Sequence, residues 1–420
     1  MHPVPFFPIM AIMPQFKPAE TQLEILKTGA SEIIPETHLL EQLKKSEQIR
    51  TPLKIKFGAD PSRPDIHLGH TVVINKLRTF QELGHDIQFI IGDFTALIGD
   101  PTGRNKTRPQ LSAEDVAEYA KTYQDQVFKI LDPAKTTVYF NSTWLSKLAP
   151  QEIVSLMARV TVQQLLVRDD FSKRHAAETP IFLHEFFYPL LQAYDSVVLK
   201  SDVELGGTDQ RFNLLLGRDL QKSFGQSQQS VLIMPLLEGL DGVQKMSKSA
   251  DNYIGINESP KDIFGKVMSV SDELMMRYYG LLTQKTAGDI TALTKAIADG
   301  SQHPMMVKKD LAEQIVARFY DAEAGKAERD RFESVFSKGA VSDDVATVTV
   351  TPDAEGKINL VDICIENGFG ASKNEIRRLM KQNAVKIDDV SVSDDMIHVK
   401  HGAKLLLKVG KLRRLFLDVN

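Results

Sequence analysis

The 420-residue sequence has one cysteine, Cys364. Neither an internal disulfide nor a cysteine-cluster zinc site is therefore possible, and a reducing cytoplasmic setting fits best. No stretch approaches the roughly 18 uninterrupted apolar residues of a membrane-spanning helix. The N-terminal stretch MHPVPFFPIMAIMP is apolar but starts without a basic region and carries four prolines. It reads as a loose arm over residues 1–30, not a secretory signal. No Ser-His-Asp or Cys-His constellation suggests a covalent intermediate. There is no internal repeat. Neither sign of charge dominates: 51 basic and 55 acidic residues leave a net charge of −4, which gives no global attraction for nucleic acid. The charge is unevenly spread, however. Residues 357–420 hold 12 Lys and Arg against 8 Asp and Glu. A basic C-terminal module on an acidic body suits a polyanion partner, although a solvated charged face has the same composition.

Hydrophobic residues make up 42% and charged residues 25% of the chain, an ordinary globular composition, and the length predicts two or three domains. Residues 53–240 alternate between strand and helix patterns. Leu53–Gly58 and Ile87–Gly92 read as strands, with short buried strands at Val138–Phe140 and Val231–Met234. Val73, Leu77, Phe80 and Leu83 recur at helical spacing, and Gly84 is placed to end that helix. Ser112 and Asp115 open a long helix that stops before Asp132-Pro133. The expected fold is α/β: a doubly wound, mostly parallel, Rossmann-like domain over residues 31–255. Ligands in such sheets bind at the carboxyl ends of the strands. Residues 256–338 show only helical patterns, with amphipathic stretches at Asp310–Phe319 and Ala327–Phe336, and read as a helical domain. Residues 339–356 are polar and read as a linker. Residues 357–420 read as a small α+β module. In it, Ser372 and Glu375 form a capping box, and Arg377, Arg378 and Lys381 line one side of the helix that follows.

Two segments carry the strongest chemical signal. The first is Gly58-Ala-Asp60-Pro followed by His67-Leu-Gly69-His70. Two histidines three apart at a helix start face the same way. The free N–H groups and positive dipole end of that helix suit a phosphate. Gly69 permits close approach, and neutral imidazoles donate to phosphate oxygens without a full charge. Metal ligation or simple helix capping are the alternatives, but a histidine pair without a third ligand makes a poor metal site. The second segment is Lys245-Met246-Ser247-Lys248-Ser249 after Asp241-Gly242. Such a loop suits a polyphosphate whose charge grows during reaction, and a solvated basic turn is the plainer reading. Further along, Tyr188, Gln192 and Asp195 share one helical face. An acid and an amide on an otherwise apolar face are costly to bury unless paired, whether by a ligand or by a structural polar network. Gly99-Asp100-Pro-Thr-Gly103-Arg104…Arg108 is not a Walker A loop; as a plain type I turn its charges would be incidental. Gly206-Gly207-Thr208-Asp209-Gln210 lies between a short strand and a helix, where a glycine pair admits a sugar and Asp209 accepts from ribose hydroxyls; a β-turn into a capped helix is the alternative.

Together these segments resemble the HIGH and KMSKS signatures of class I aminoacyl-tRNA synthetases, and the stretch between them is similar to the bacterial tyrosyl enzymes. The resemblance covers roughly residues 30–420. It implies that His67, His70, Lys245, Lys248, Arg104 and Arg108 act on the triphosphate and departing pyrophosphate, and that Gly58, Asp60, Gly69, Gly207, Asp209, Met246 and Ser247 complete an ATP site. It further implies that Asp60, Asp100, Tyr188, Gln192 and Gln210 hold the backbone groups of L-tyrosine, with Asp195 accepting the phenolic hydroxyl. The C-terminal module resembles the RNA-binding domain of ribosomal small-subunit protein four, which implies RNA contacts from Lys373, Arg377, Arg378 and Lys381. The helical domain would read the anticodon. An insertion at about 135–185, with its apolar Ile153–Leu166 stretch, would support a homodimer. One departure stands out: Lys56 occupies the place, two residues before Gly58, where the better-known tyrosyl enzymes have a tyrosine. It pairs with an acid or reaches the ligand.

The implied reaction is tyrosine activation by magnesium-ATP, with the metal held by the nucleotide's phosphates and no metal site or permanent cofactor in the protein. Transfer to tRNA(Tyr) follows. The attacking carboxylate is ionised at neutral pH, its ordinary pKa being about 3.5, so the first step needs positioning and charge stabilisation and no general base. A tryptophanyl enzyme lacks the Tyr188/Gln192/Asp195 triplet and the C-terminal module. A non-catalytic RNA-binding protein on the same scaffold has no use for His67, His70, Lys245, Lys248 and Asp209.

Overall fold

The computed structural model describes residues 16–61, 65–102, 112–283, 285–337, 346–388, 390–410 and 413–420. They form two compact units, one up to Arg329 and one from Asp330 to Asn420.

The first unit is built on six strands: β1 (Glu32–Ile34), β2 (Lys54–Ala59), β3 (Asp86–Ile91), β4 (Thr136–Phe140), β5 (Val203–Gly207) and β6 (Ser230–Met234), in the order β1-β6-β5-β2-β3-β4. The pairs among β2 to β6 are all parallel, and β1 runs antiparallel to β6. Ile87–Ile91 of β3 and all of β6 are buried, the pattern of parallel strands covered on both faces. The chain proceeds outward from β2 through β3 to β4, then returns to β5 and continues to β6. Its direction of travel thus reverses between β2 and β5, and a crevice opens there beyond Ala59 and Gly207. The expected doubly wound α/β sheet is present. The edge strand β1 was not foreseen, because Glu-Ile-Ile is too short to show a periodicity.

Helices α1 (Ala19–Lys27) and α2 (Glu36–Ile49) precede β2, and α3 (Leu68–Glu82) joins β2 to β3. Val73, Leu77 and Phe80 of α3 are buried, and Gly84 reverses the chain at φ +99°, a backbone geometry open chiefly to glycine. After β3 come α4 (Thr95–Ile98) and α5 (Ala113–Val127). The Ser112 hydroxyl accepts from Asp115 N–H at 3.1 Å while the Asp115 carboxylate accepts from Ser112 N–H at 3.3 Å, the capping box expected there. The segment between β4 and β5 contains α6 (Ser142–Leu145), α7 (Pro150–Met157), α8 (Val162–Leu166), α9 (Asp169–Ala176) and the long α10 (Leu183–Leu199). Helix α11 (Arg211–Ser223) joins β5 to β6 and packs on α10. Five helices follow: α12 (Pro260–Ser269), α13 (Asp272–Leu282), α14 (Ala287–Ala298), α15 (Pro304–Phe319) and α16 (Ala322–Ser337). Most of this helical stretch falls in the same compact unit as the sheet.

Two expected boundaries are corrected. Residues 1–15 of the arm lie outside the described residues, but its remainder is no loose arm. Leu23 and Leu26 of α1 are buried at helical spacing, Ala19 N–H donates to Glu47 Oε2 at 2.9 Å, and Gln22 Oε1 lies 2.9 Å from His85 Nε2. In the second unit, β7 (Thr347–Val350), expected in the linker, pairs in parallel with the last strand, β13 (Arg413–Val419). Val350 is buried in that unit's core, so the segment is held by the same apolar alternation that holds any strand.

The second unit's main sheet has the order β10-β9-β12-β13-β7, with β9 at Val385–Ile387, β10 at Val390–Ser391 and β12 at Lys404–Val409. A separate pair joins β8 (Lys357–Asn359) to β11 (Met396–His398). Helices α17 (Leu360–Glu366) and α18 (Lys373–Lys381) pack beside them. On α18, Ile376 and Met380 are buried, while Lys373, Arg377, Arg378 and Lys381 are exposed.

Candidate active site

The two motif segments meet at the amino end of α3. The N–H of Gly69 donates to Met246 Sδ at 3.3 Å. The chain just beyond the loop is stitched to the same place: Leu68 N–H donates to the Ile254 carbonyl at 2.9 Å, and Ile256 N–H to the Ile66 carbonyl at 3.0 Å. A Cβ on Gly69 would stand 3.0 Å from the His67 ring and 3.4 Å from Met246. Glycine therefore permits both contacts at once. Met246 is buried and acts as the hydrophobic foot of the loop. Ser247 caps the short 3-10 turn Lys248–Ala250 by accepting from Ala250 N–H at 3.3 Å.

The His67 and His70 rings lie 3.8 Å apart between centroids. The backbone N–H of His67 donates to His70 Nδ1 at 3.3 Å. A neutral His70 ring then carries its proton on Nε2. Burial, with Lys248 and Lys245 nearby, pushes His70 down to about 3. Burial, then His70 and the same two lysines, holds His67 well below the ordinary histidine range. Both rings are neutral at physiological pH and present N–H groups in place of full charges. His67 Nδ1 is buried without a hydrogen-bond partner among the described residues, a cost that a ligand in the crevice would relieve.

Across the crevice, at the end of β5, Lys245 Nζ pairs with Asp209 Oδ2 at 2.7 Å. Lys248 Nζ lies 5.9 Å from the centroid of the Tyr123 ring, and the Tyr123 hydroxyl donates to the Asp60 carbonyl at 3.3 Å. Both lysines of the loop thus stand at the carboxyl edge of the sheet. The predicted phosphate ligands Arg104 and Arg108 lie outside the described residues.

The predicted amino-acid ligands fall into two connected groups. Tyr188 and Thr95 donate to the two carboxylate oxygens of Asp60, at 2.9 and 2.8 Å. Thr95 in turn accepts from Asn141 Nδ2 at 3.1 Å, and the same amide lies 3.3 Å from Asp195 Oδ2. Trp144 Nε1 donates to Asp195 Oδ1 at 2.8 Å. One hydrogen-bonded chain therefore runs from Tyr188 through Asp60, Thr95 and Asn141 to Asp195. In the second group, Gln210 Nε2 donates to Asp100 Oδ2 at 2.8 Å, and Asn213 Nδ2 donates to both Gln210 Oε1 and Gln192 Oε1, at 2.9 and 3.1 Å. Gly92 lies under Asp60: a Cβ there would fall 2.1 Å from Asp60 Oδ1, so only glycine leaves room for that carboxylate.

Asp195 is 3% exposed, as its place on the inner face of α10 requires. Burial pushes its carboxyl up to about 6, against the opposing pull of Lys56, Trp144 and Asn141. At neutral pH it is an anion with two neutral donors, able to accept a further hydroxyl. Sequence reasoning missed Thr95, Asn141, Trp144 and Asn213. Trp144 is the one tryptophan in the chain, a signal of a special position but not of its role. The other three are ordinary polar residues in loops and helix starts.

A sequence model of the family described as tRNA synthetases class I (W and Y) matches residues 47–337. Similar curated proteins include a tyrosine–tRNA ligase of Bdellovibrio bacteriovorus, 49% identical over 394 residues that span 93% of this chain and 97% of that protein. Another, from Colwellia psychrerythraea, is 53% identical over 386 residues, spanning 92% and 95%. Among solved structures, the chain is similar to a tyrosyl-tRNA synthetase of Archaeoglobus fulgidus complexed with L-tyrosine. The TM-score there is 0.60 at 22% identity, covering 74% of this chain and 99% of that one. A C-terminally truncated mitochondrial tyrosyl-tRNA synthetase of Aspergillus nidulans has a TM-score of 0.63 at 20% identity, covering 76% and 94%. At these identities the structural likeness speaks for the fold.

Proposed function

The chain belongs to the class I tRNA synthetases of the tryptophan and tyrosine family, and on that premise we propose that it is a tyrosine–tRNA ligase. It joins L-tyrosine to ATP as tyrosyl-adenylate with release of pyrophosphate, then transfers the tyrosyl group to the 3′ end of tRNA(Tyr). The observation that carries the choice of tyrosine is the buried Asp195 carboxylate at the end of the hydrogen-bonded chain from Asp60. An indole side chain offers that acid no hydroxyl, and phenylalanine leaves it short of a donor.

In this reading the tyrosine carboxylate attacks the α-phosphorus in line, and the residues around it bind and orient. Asp60, Asp100, Tyr188, Gln192 and Gln210 hold the ammonium and carboxylate end. The Lys245–Asp209 pair sits where the ribose enters, so the sugar hydroxyls take over Asp209 and release Lys245 toward the phosphates. His67 and His70 donate to the triphosphate from the end of α3, and Lys245 and Lys248 meet the charge that grows on pyrophosphate. Gly58, Gly69 and Gly207 leave room for the nucleotide's approach. We assign Arg104 and Arg108 the same pyrophosphate role from the resemblance alone. The nucleotide arrives as its magnesium complex, the cation being carried by phosphate oxygens.

The remaining assignments follow the same reading. The exposed Val154, Met157, Val162 and Val167 in the 135–185 insertion support a homodimer formed through it, since an isolated chain gains nothing from wetting them. The helices between residues 256 and 338 would meet the anticodon arm, and α18 of the last unit would meet RNA phosphates. No helix among the described residues is long and apolar enough to cross a membrane, and we place the enzyme in the cytoplasm.

The test is amino-acid-dependent exchange of labelled pyrophosphate into ATP. Tyrosine should support it and tryptophan should not. Exchange with tryptophan alone would move the chain to the sister activity, and absence of exchange would make it an idle scaffold. Asp195→Asn should lower kcat/KM for tyrosine roughly ten- to a hundredfold, the worth of a charge-assisted hydrogen bond at about 1.5–3 kcal/mol. Its effect with phenylalanine should be far smaller.

A further inference from the structure

Lys56 projects from β2 into the space between β2, β5 and α10. Its Nζ lies 2.8 Å from Glu204 Oε1, 2.7 Å from Ser196 Oγ and 3.0 Å from the Gln192 carbonyl. Glu204 stands directly opposite in the β2–β5 register, and its other oxygen accepts from Ser196 at 2.9 Å and from Gln229. Both side chains of the pair are essentially dry, at 1% and 2% exposure. A wholly buried ion pair adds little stability over a well-packed apolar pair, because loss of hydration offsets the attraction. What this pair touches lies beside the predicted phenol site. Gln192 and Ser196 are one helical turn apart on α10, and Asp195 lies between them in sequence. The pair also straddles the point where the sheet reverses, beneath the crevice.

We propose that the Lys56–Glu204 pair is a positioning device for phenol recognition: Lys56 clamps α10 at Gln192 and Ser196 and supplies the positive charge behind Asp195, and Glu204 trims that charge. Lys56 is thus a positioning residue, not a catalytic one. The inference rests on the reading of Asp195 as the phenol-binding group. The charged groups acting on Asp195 are Lys56 from β2, which favours its anion, and Glu204 from β5, which opposes it. From the segment after β4 it meets Asn141 and Trp144, both neutral donors. An ionised Asp195 accepts the phenol's hydrogen. A protonated one offers its own O–H to the same oxygen and forfeits the charge-assisted bond. The clamp thereby fixes where on the pH scale the pocket starts to prefer tyrosine.

The experiment measures KM for tyrosine and for ATP by pyrophosphate exchange from pH 5 to 8. The proteins are the unsubstituted enzyme, Lys56→Met/Glu204→Gln, Glu204→Gln alone, and Asp195→Asn. In the unsubstituted enzyme tyrosine KM should rise as pH falls through about 6, and Asp195→Asn should abolish that limb. Removing the lysine and its partner together should move the limb about one unit toward higher pH and raise tyrosine KM at pH 6.5 about threefold, with ATP KM unchanged. Glu204→Gln alone should move the limb the other way. Opposite shifts from two neighbouring substitutions are not produced by general loosening of the core. Should the double variant fail to fold, the near-isosteric Glu204→Gln decides alone, since an unmoved limb there overturns the proposal. A limb that Asp195→Asn abolishes but that neither other variant moves overturns the clamp and leaves the phenol site intact. A tyrosine KM indifferent to Asp195→Asn overturns both.

Discussion

Replacing His70 by alanine should slow tyrosyl-adenylate formation about 10²–10³-fold, the usual cost of deleting one preorganised donor from a charge-stabilising site, with tyrosine affinity unchanged. The expectation rests on where the ring is and on its charge state. His70 lies in the first turn of α3, held by the N–H of His67 on its Nδ1, so its Nε2–H is fixed before substrate arrives. Neutrality matters as much as position. Burial and the two loop lysines keep the ring uncharged far below neutral pH, so it contributes a donor without binding ground-state ATP as tightly as a third cation would. His67→Ala should behave alike. Because the two rings lie in contact, 3.8 Å between centroids, the double variant should lose less than the product of the single losses. Single-turnover adenylate formation at saturating tyrosine and ATP reads this directly. The first-order rate should show no titration near pH 6.5, where an ordinary histidine would change charge. A limb at that pH in the chemical step, sensitive to His70→Ala, would mean that the ring works as a cation and that the electrostatic assignment is wrong.

Much of this site was readable because its parts are local. A histidine pair three apart at a helix start, a lysine-flanked loop, and three polar residues on one face of α10 each declare themselves within a few positions. Strands β2, β3 and β6 were visible as apolar runs, since strands covered on both faces need no alternation. The run at β4 was visible too, but β4 is the sheet's edge strand, with no buried residue and Phe140 exposed, and not the buried strand expected. What stayed hidden is what the chain assembles from distant pieces. Glu32 of β1 pairs with Ile233 of β6, and no three-residue segment announces a partner so far along the chain. The link between Asp60 and Asp195 runs through Thr95 and Asn141, whose types are common and whose spacing is arbitrary. Lys56 was left between an acid and the ligand because Glu204, its partner, sits on a strand that becomes a neighbour only once the sheet reverses. Strand β7 was taken for linker because Thr-Val-Thr-Val in a polar stretch looks weak until β13 supplies its other side.

The β7–β13 pairing decides where the chain should be cut to separate the two chemical steps. Truncation at residue 357 would leave β7 without β13, with Val350 stripped of its core. Truncation after Lys338 removes the whole C-terminal sheet. The shortened enzyme should keep tyrosine-dependent pyrophosphate exchange within about twofold, because every described residue assigned to tyrosine or ATP lies in the first unit. Its kcat/KM for charging tRNA should fall by about 10²–10⁴, the range expected when one of two linked binding modules is lost. The electrostatics of α18 sharpen the prediction. Lys373 pairs with Asp362 at 2.5 Å and Arg377 with Asp395 at 2.7 Å, so both give up a partner when they meet a phosphate. Arg378 and Lys381 are exposed and have no acidic partner among the described residues. In the full chain, Arg378→Ala and Lys381→Ala should each weaken tRNA binding and flatten its dependence on salt by about one counterion. Lys373→Ala should do so by less. If truncation after Lys338 depresses exchange as much as charging, the last unit supports the catalytic fold and is not a separate handle for RNA. If all three substitutions leave the salt slope untouched, the basic face of α18 is a solvated surface and the tRNA lies elsewhere.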